Sequence, residues 1–421
     1  MRVVLFTGKG GVGKTTLAAA TAALLASSGR KALVVSTDPA HSLGDALEAD
    51  LGGHPIELES GLFAAHIDTR ALLDHSWSRL QCHLRTLLAG AGVDELVADE
   101  LTVLPGVEEL LALGEVRRAA ETGPWEVVVV DCGPTAETLR LLGLPEALSG
   151  YLERLFPAHR RAVRGVIAGL AGAGRASAPM QAWDAAVEAI DGLAGQLTGL
   201  RAMLADHTST SIRLVLTPER VVAAETRRTL TALALHGLQV DGLVANRVFP
   251  GPPSSLRGPA ARWLRERHTE QLAVLTELGG LTELGGPNGM GGLNLRTVAH
   301  TAAEPTGVVA LLAVARSLYG DDDPAVPLPS GPTAPLLRVR RTAGTGTALD
   351  SEFELLLRLP GAAAGPLDLA RVGDELAITA GGTRRMVALP SALRRCVVTA
   401  ARLEDDDLCV VFRPDPAVWI R

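Results

Sequence analysis

Nine residues near the N-terminus limit what this chain can fold into. Gly8-Lys9-Gly10-Gly11-Val12-Gly13-Lys14-Thr15-Thr16 satisfies the pattern G-x-x-x-x-G-K-[ST] of a phosphate-binding loop. The context fits as well. Residues 3–6 are an unbroken apolar run, as in a strand buried on both faces of a parallel sheet. Residues 15–28 contain neither Pro nor Gly and predict a helix that Gly29 closes, and residues 32–36 predict a second strand, so the chain opens with a βαβ unit. In such a loop the backbone of Gly10, Gly11, Val12, Gly13, Lys14, Thr15 and Thr16 turns its N–H groups toward phosphates, at the positive end of the helix. Lys14 is then expected on the β- and γ-phosphates and the Thr15 hydroxyl on Mg²⁺.

Composition sharpens the lysine argument. The 421 residues carry 40 Lys and Arg, of which only Lys9, Lys14 and Lys31 are lysine. A lysine is a compact point charge and an arginine a broad planar fork, so a retained lysine can mark a place too narrow for Arg. Two of the three lie in the loop. The net charge of -7 argues against a protein that works through nucleic-acid phosphates or anionic lipid. No nucleic-acid partner is expected. Cys82, Cys132, Cys396 and Cys409 are scattered without a C-x-x-C pair, which fits a reducing compartment with no disulfide frame or zinc site. Residues 1–7 read as a strand and not a signal peptide, and no apolar run approaches the ~20 residues of a membrane span. The cytoplasm is the expected location.

Two further clusters carry phosphate-side chemistry. Ser36-Thr37-Asp38-Pro39-Ala40-His41-Ser42-Leu43-Gly44-Asp45 follows the second strand, at the carboxyl end where α/β sheets bind ligands. Its two carboxylates, Asp38 and Asp45, can divide the labour, one near Mg²⁺ and the other polarising the attacking water. Val127-Val128-Val129-Val130-Asp131 is an apolar strand ending in an acid, the arrangement that orders Mg²⁺ or its water shell.

Further strands are expected at 126–130, 212–216 and 243–245, with helices between them, which predicts an α/β, mainly parallel, doubly wound sheet over residues 1–320. Residues 146–207 read as a helical insertion. The glycine-rich 276–293, with its repeated T-E-L-G-G, reads as a loop. At 321–335 the composition changes to DDDPAVPLPSGPTAP, an acidic and Pro-rich linker. Residues 336–421 show short alternating runs at 353–359, 375–379, 385–389 and 409–412, the pattern of a small all-β sandwich.

Taken together, GKGGVGKTT, STDPAHSLGD and DCGPTAETLRLLGLP resemble the ArsA family of ATPases over roughly residues 1–320. That family includes the arsenite-pump ATPase and the ATPase that targets tail-anchored membrane proteins. The resemblance implies ATP as substrate and a nucleotide-gated homodimer that opens and closes with ATP and ADP. It implies that Lys9, the signature lysine of a deviant loop, contacts the partner subunit's nucleotide. By matching position, Asp45 would orient the hydrolytic water, Glu219 and Asn246 would sit at the base, and Thr301 and Ala302 would line its pocket. The chain departs from the family's DTAPTGHTLR switch at Cys132, Gly133, Ala136 and Glu137, which bears on how the switch couples to hydrolysis. The zinc-binding C-x-x-C of the targeting members is also absent. The tail, through EFELLLRLPG, GDELAI and Leu389-Pro390, resembles the α-crystallin-like sandwich carried by some bacterial members.

Three functions are compatible with this reading. One is an ATPase that couples hydrolysis to a partner or membrane-protein client. A second is the ATPase of a membrane-bound metalloid efflux pump, which needs converging soft thiolates that Cys82 and Cys132 hardly supply. The third is a nucleotide-dependent interaction switch with little turnover, against which the intact Lys14, Thr15, Asp45 and Asp131 speak.

Overall fold

The computed structural model describes residues 1–68, 107–133, 195, 198–238, 240–283, 294–326, 336–362, 366–404 and 406–419. Most of the expected insertion at 146–207 lies outside them; its described end, 198–205, is helical. Eight strands form one sheet: β1 (Arg2–Gly8), β2 (Ala32–Ser36), β3 (Ile56–Glu59), β4 (Leu62–His66), β5 (Val127–Asp131), β6 (Thr210–Leu216), β7 (Val240–Val248) and β8 (Asn294–Ala299). Their order is β3-β4-β2-β5-β1-β6-β7-β8, and every neighbouring pair is parallel except β3 with β4. The doubly wound α/β fold read from the sequence is therefore the fold observed. The inner strands β1, β2, β5 and β6 are almost wholly buried, which is why they appear in the sequence as continuous Val and Leu runs.

The sheet's helices include α1 (Lys14–Ser27), α2 (Ser42–Leu47), α3 (Val107–Thr122), α4 (Arg220–Leu235), α5 (Pro259–Glu283) and α6 (Gly307–Tyr319). Helix α1 ends as its glycine requires. Gly29, at φ 84°, lets its own N–H reach the Ala26 carbonyl while the Arg30 N–H reaches that of Leu25. One expectation is corrected here: residues 276–283, read as loop from their glycines, are the end of α5. The long apolar and charged run before them extends the helix past Gly279, whereas residues 284–293 lie outside the described set.

The last fifth of the chain is a sandwich, as its alternating runs indicate. Strands β9 (Leu337–Ala343), β10 (Glu352–Arg358), β11 (Leu367–Val372), β12 (Glu375–Ala380), β13 (Thr383–Ala388), β14 (Cys396–Glu404) and β15 (Asp407–Pro414) make two antiparallel sheets, β14-β15-β10-β9 and β11-β12-β13. Phe353, Leu355 and Leu357 of β10 meet Leu376 and Ile378 of β12 and Val410 and Phe412 of β15 in the core between them. Each such side chain contributes about 1.5–3 kcal/mol by leaving water. Ala234 and Leu235, from the last turn of α4, belong to the same core. The sandwich is thus packed directly on a helix that flanks the eight-stranded sheet.

A second fastening lies at the start of the Pro-rich stretch. Arg213, fully buried on β6, donates to the Tyr319 hydroxyl at 2.7 Å and to the Pro324 carbonyl at 2.6 Å. The Tyr319 hydroxyl also meets Thr21 of α1 at 2.8 Å. Asp322 and Asp323 pair with Arg296 and Arg30. The first residues of the expected linker are therefore held against the sheet.

Candidate functional site

The site forms where β1, β2 and β5 end side by side. Pairing register sets Ser36 of β2 and Phe6 of β1 opposite Asp131 of β5, so the strand-end carboxylate lies between the phosphate loop and the Asp38 loop. The loop's glycines answer to specific neighbours. At Gly13, φ is 94° and a Cβ would stand 2.3 Å from Asn246 Nδ2; at Gly8 it would stand 2.2 Å from the Val215 carbonyl oxygen. Neither position admits a side chain.

Lys14 is buried, and its ammonium donates to the Lys9 carbonyl at 3.3 Å. The Thr15 hydroxyl donates to Asp131 Oδ2 at 2.8 Å and is 3.1 Å from the Ser42 hydroxyl. Ser36 donates to the same Oδ2 at 3.0 Å and accepts the Asp38 N–H at 3.2 Å. Asp131 is completely buried, yet among the described residues its Oδ1 has no hydrogen-bond partner. Burial pushes its pKa up to about 6, against the pull of the Thr15 and Ser36 hydroxyls and of Lys14, while Asp38 adds to the rise. A buried carboxylate with one free oxygen beside a threonine hydroxyl suits a hard divalent cation, which takes oxygen ligands. Asp38 bears on Asp131 electrostatically, and its Oδ1 accepts the Ala40 N–H at 3.1 Å, which shapes the turn.

Asp45 lies on the exposed side of α2, whose first residue Ser42 is tied to Thr15. It lines a cavity of about 510 Å³ with His41, Glu48, Asp50 and His66. The His41 and His66 rings stack there at 4.0 Å, and the His66 pKa is lowered by burial first and by His41 second. The far end of α2 is fixed by Glu48, which accepts from the Thr306 hydroxyl at 2.9 Å.

The residues assigned to the base are spread out. Asn246 is buried against the loop, its Nδ2 donating to the Val12 carbonyl at 2.9 Å and its Oδ1 accepting the Arg247 N–H. Glu219 precedes α4, 3.7 Å from Arg267 of α5. Thr301 and Ala302 are exposed, with the Thr301 hydroxyl on the Ala303 carbonyl at 2.7 Å. Lys9 pairs with Glu225 of α4 at 3.0 Å. Ser36, Ser42 and Glu225 were not singled out from the sequence. Only the first two had a signal, as hydroxyls within the Asp38 cluster.

The sequence profile of the anion-transporting ATPases matches residues 1–283, well over half the chain. The chain belongs to the anion-transporting ATPase family. A second profile, of the HSP20-like domain found in ArsA, matches residues 350–412 of this family member. It is 39% identical over 438 residues to protein Rv2184c of Mycobacterium tuberculosis, covering 99% of this chain and 97% of the relative. A relative in Prosthecochloris vibrioformis, provisionally named an arsenical pump-driving ATPase, is 33% identical over 395 residues, covering 93% of this chain and 91% of its own. The ATPase GET3 of Podospora anserina is 28% identical over 289 residues, covering 65% and 82% respectively. No helix among the described residues of this family member is long and apolar enough to cross a membrane.

Proposed function

We propose that the protein is an Mg²⁺-dependent ATPase that works as a nucleotide-gated homodimer and couples hydrolysis to a partner or client. The observation that carries this reading is the convergence of Lys14, Thr15 and Asp131 at the ends of adjacent strands, with one Asp131 oxygen unpartnered among the described residues. The loop N–H groups and Lys14 bind and orient the phosphates. Thr15 and Asp131 would hold Mg²⁺, which when bound neutralises charge on the phosphates. Asp45 orients the attacking water, and Asp38 supports the metal side of the site. Lys9 of each subunit supplies positive charge to the other's nucleotide, an effect worth roughly 10³–10⁵ in rate where arginine fingers do the same. Asn246, Glu219, Thr301 and Ala302 contribute to the base side.

The metalloid-pump reading draws on the name of the Prosthecochloris relative. Against it, Cys132 is buried and its thiol is pushed up to about 12 by that burial, so it offers no ready thiolate. Cys396 and Cys409 are buried in the sandwich strands. Cys82 lies outside the described residues; from the three described thiols, arsenite is expected not to raise ATP turnover. Phosphate release from the wild type, Lys14→Ala and Asp45→Asn tests the enzyme assignment itself. Both variants should fall at least about a hundredfold, in the range of lost transition-state groups. Equal rates in all three would overturn it.

A further inference from the structure

The proposed cross-subunit lysine already has a partner on its own chain. Lys9 Nζ lies 3.0 Å from Glu225 Oε2, with 42% and 38% of the two side chains exposed. A lysine cannot serve Glu225 and a phosphate on a second subunit equally, because its single charge gains most from whichever carries more negative charge at contact distance. The carboxylate is one charge, and a nucleotide's phosphates carry several. The pair is therefore a restraint that a nucleotide-loaded second copy can outcompete and an empty one cannot.

The element that presents Glu225 is anchored at its other end. Glu225 stands in the second turn of α4. In the last two turns, Thr231 donates to the Pro360 carbonyl at 2.7 Å, Arg385 of β13 donates to the Leu235 carbonyl, and Ala234 and Leu235 enter the sandwich core. The Arg385 contact satisfies a carbonyl that a helix end otherwise leaves unpaired, and places a cation at the negative end of the helix. One rigid helix thus reaches from the lysine to the C-terminal sandwich.

We propose that Glu225 is a positioning residue that holds Lys9 on its own subunit until ATP on a second copy competes for it, and that the sandwich maintains this restraint by gripping the far end of α4. The inference rests on the trans role of Lys9 given above. Steady-state ATP turnover of the full chain, measured against protein concentration, reads it directly. Glu225→Gln keeps the shape and removes the charge. Half-exposed ion pairs are weak, so the protein concentration for half-maximal turnover should fall about two- to fivefold. Thr231→Val with Arg385→Ala should lower the same midpoint in the wild type and add nothing in the Glu225→Gln background. A thermal melt accompanies each variant, since loss of packing alone would lower the melting temperature without moving the midpoint downward. If Lys9→Ala leaves both turnover and its concentration dependence unchanged, the trans role itself fails. If Lys9→Ala cuts turnover while the Glu225→Gln midpoint stays in place or rises, the restraint alone is refuted. Additive shifts from the sandwich pair, or none in the wild type, would refute the part assigned to the sandwich.

Discussion

Two buried carboxylates, one in each half of the molecule, are treated in opposite ways. Glu354, on β10 of the sandwich, is 2% exposed, and both its oxygens are met by guanidinium groups: Arg402 on Oε1 at 2.6 Å and Arg340 on Oε2. Asp131, on β5 of the eight-stranded sheet, is 0% exposed; among the described residues it receives only two hydroxyls, both on Oδ2, and Oδ1 has none. A charge-assisted pair to arginine is roughly twice as strong as a neutral hydrogen bond, so Glu354 is compensated by cations of its own chain while Asp131 is held by hydroxyls. The difference marks the purpose of each region. A carboxylate that finishes a fold is saturated by its own chain, whereas one that awaits a ligand is desolvated and left incomplete.

The largest expected contrast comes from neutralising each acid in turn. Asp131→Asn should cut ATP turnover by about 10²–10³, on the scale of a lost transition-state electrostatic group, while stability changes little or rises because a desolvated charge has gone. Glu354→Gln should leave turnover intact and cost about 1.5–3 kcal/mol of stability, since one charge-assisted bond becomes a weaker one to the amide oxygen and the other is lost where the amide NH2 faces a guanidinium. Urea unfolding beside phosphate release checks both. A Glu354→Gln protein that loses turnover, or an Asp131→Asn protein that keeps it, would break the distinction.

The pH dependence should separate them next. With a pKa near 6, Asp131 is protonated below that point, and bound Mg²⁺ requires it charged. Mg²⁺ affinity in the presence of ATP should hold above pH 7 and fall about tenfold per pH unit below 6. For the metal-free protein the sign is reversed. The folded carboxyl holds its proton more tightly than the unfolded chain does, so its contribution, about 3 kcal/mol from the two-unit shift, is complete below about pH 4 and lost as pH rises through about 6. Titration calorimetry with Mg²⁺ and melts with a chelator from pH 4 to 8 would show these opposed slopes. Asp131→Asn should flatten both.

The same contrast explains what could be read from the residues alone. Strands β1, β2, β5 and β6 were legible because burial on both faces forces continuous apolar runs. The loop was legible because its glycines follow a fixed pattern, and the structure gives Gly8 and Gly13 no room for a Cβ beside Val215 and Asn246. By contrast β3 and β9 face solvent through most of their length and carry no such pattern. Glu225 was invisible for a different reason. It is one acid among many on a helix surface, and only the approach of β1's loop to α4 makes it a partner for Lys9. The Glu354 pairs were likewise hidden, since Arg340 and Arg402 come from strands on opposite sides of β10.

The smallest expected effect tests how evenly Glu354 is shared. Arg340 and Arg402 are 58% and 46% exposed, so both guanidinium groups keep much of their hydration while covering a carboxylate that has lost nearly all of its own. Removing one arginine leaves the other in place and lets water reach the vacated oxygen from the open side of the sheet. Arg340→Ala or Arg402→Ala alone should therefore cost no more than about 1 kcal/mol, in the range of exposed ion pairs. The double variant should cost more than the two single losses together, because only then is a buried anion without a cation. A double-mutant cycle by urea unfolding measures that excess. Strict additivity would mean that Glu354 is hydrated in solution, and with it the assignment of the sandwich as the region whose buried charge is settled by its own chain would fall.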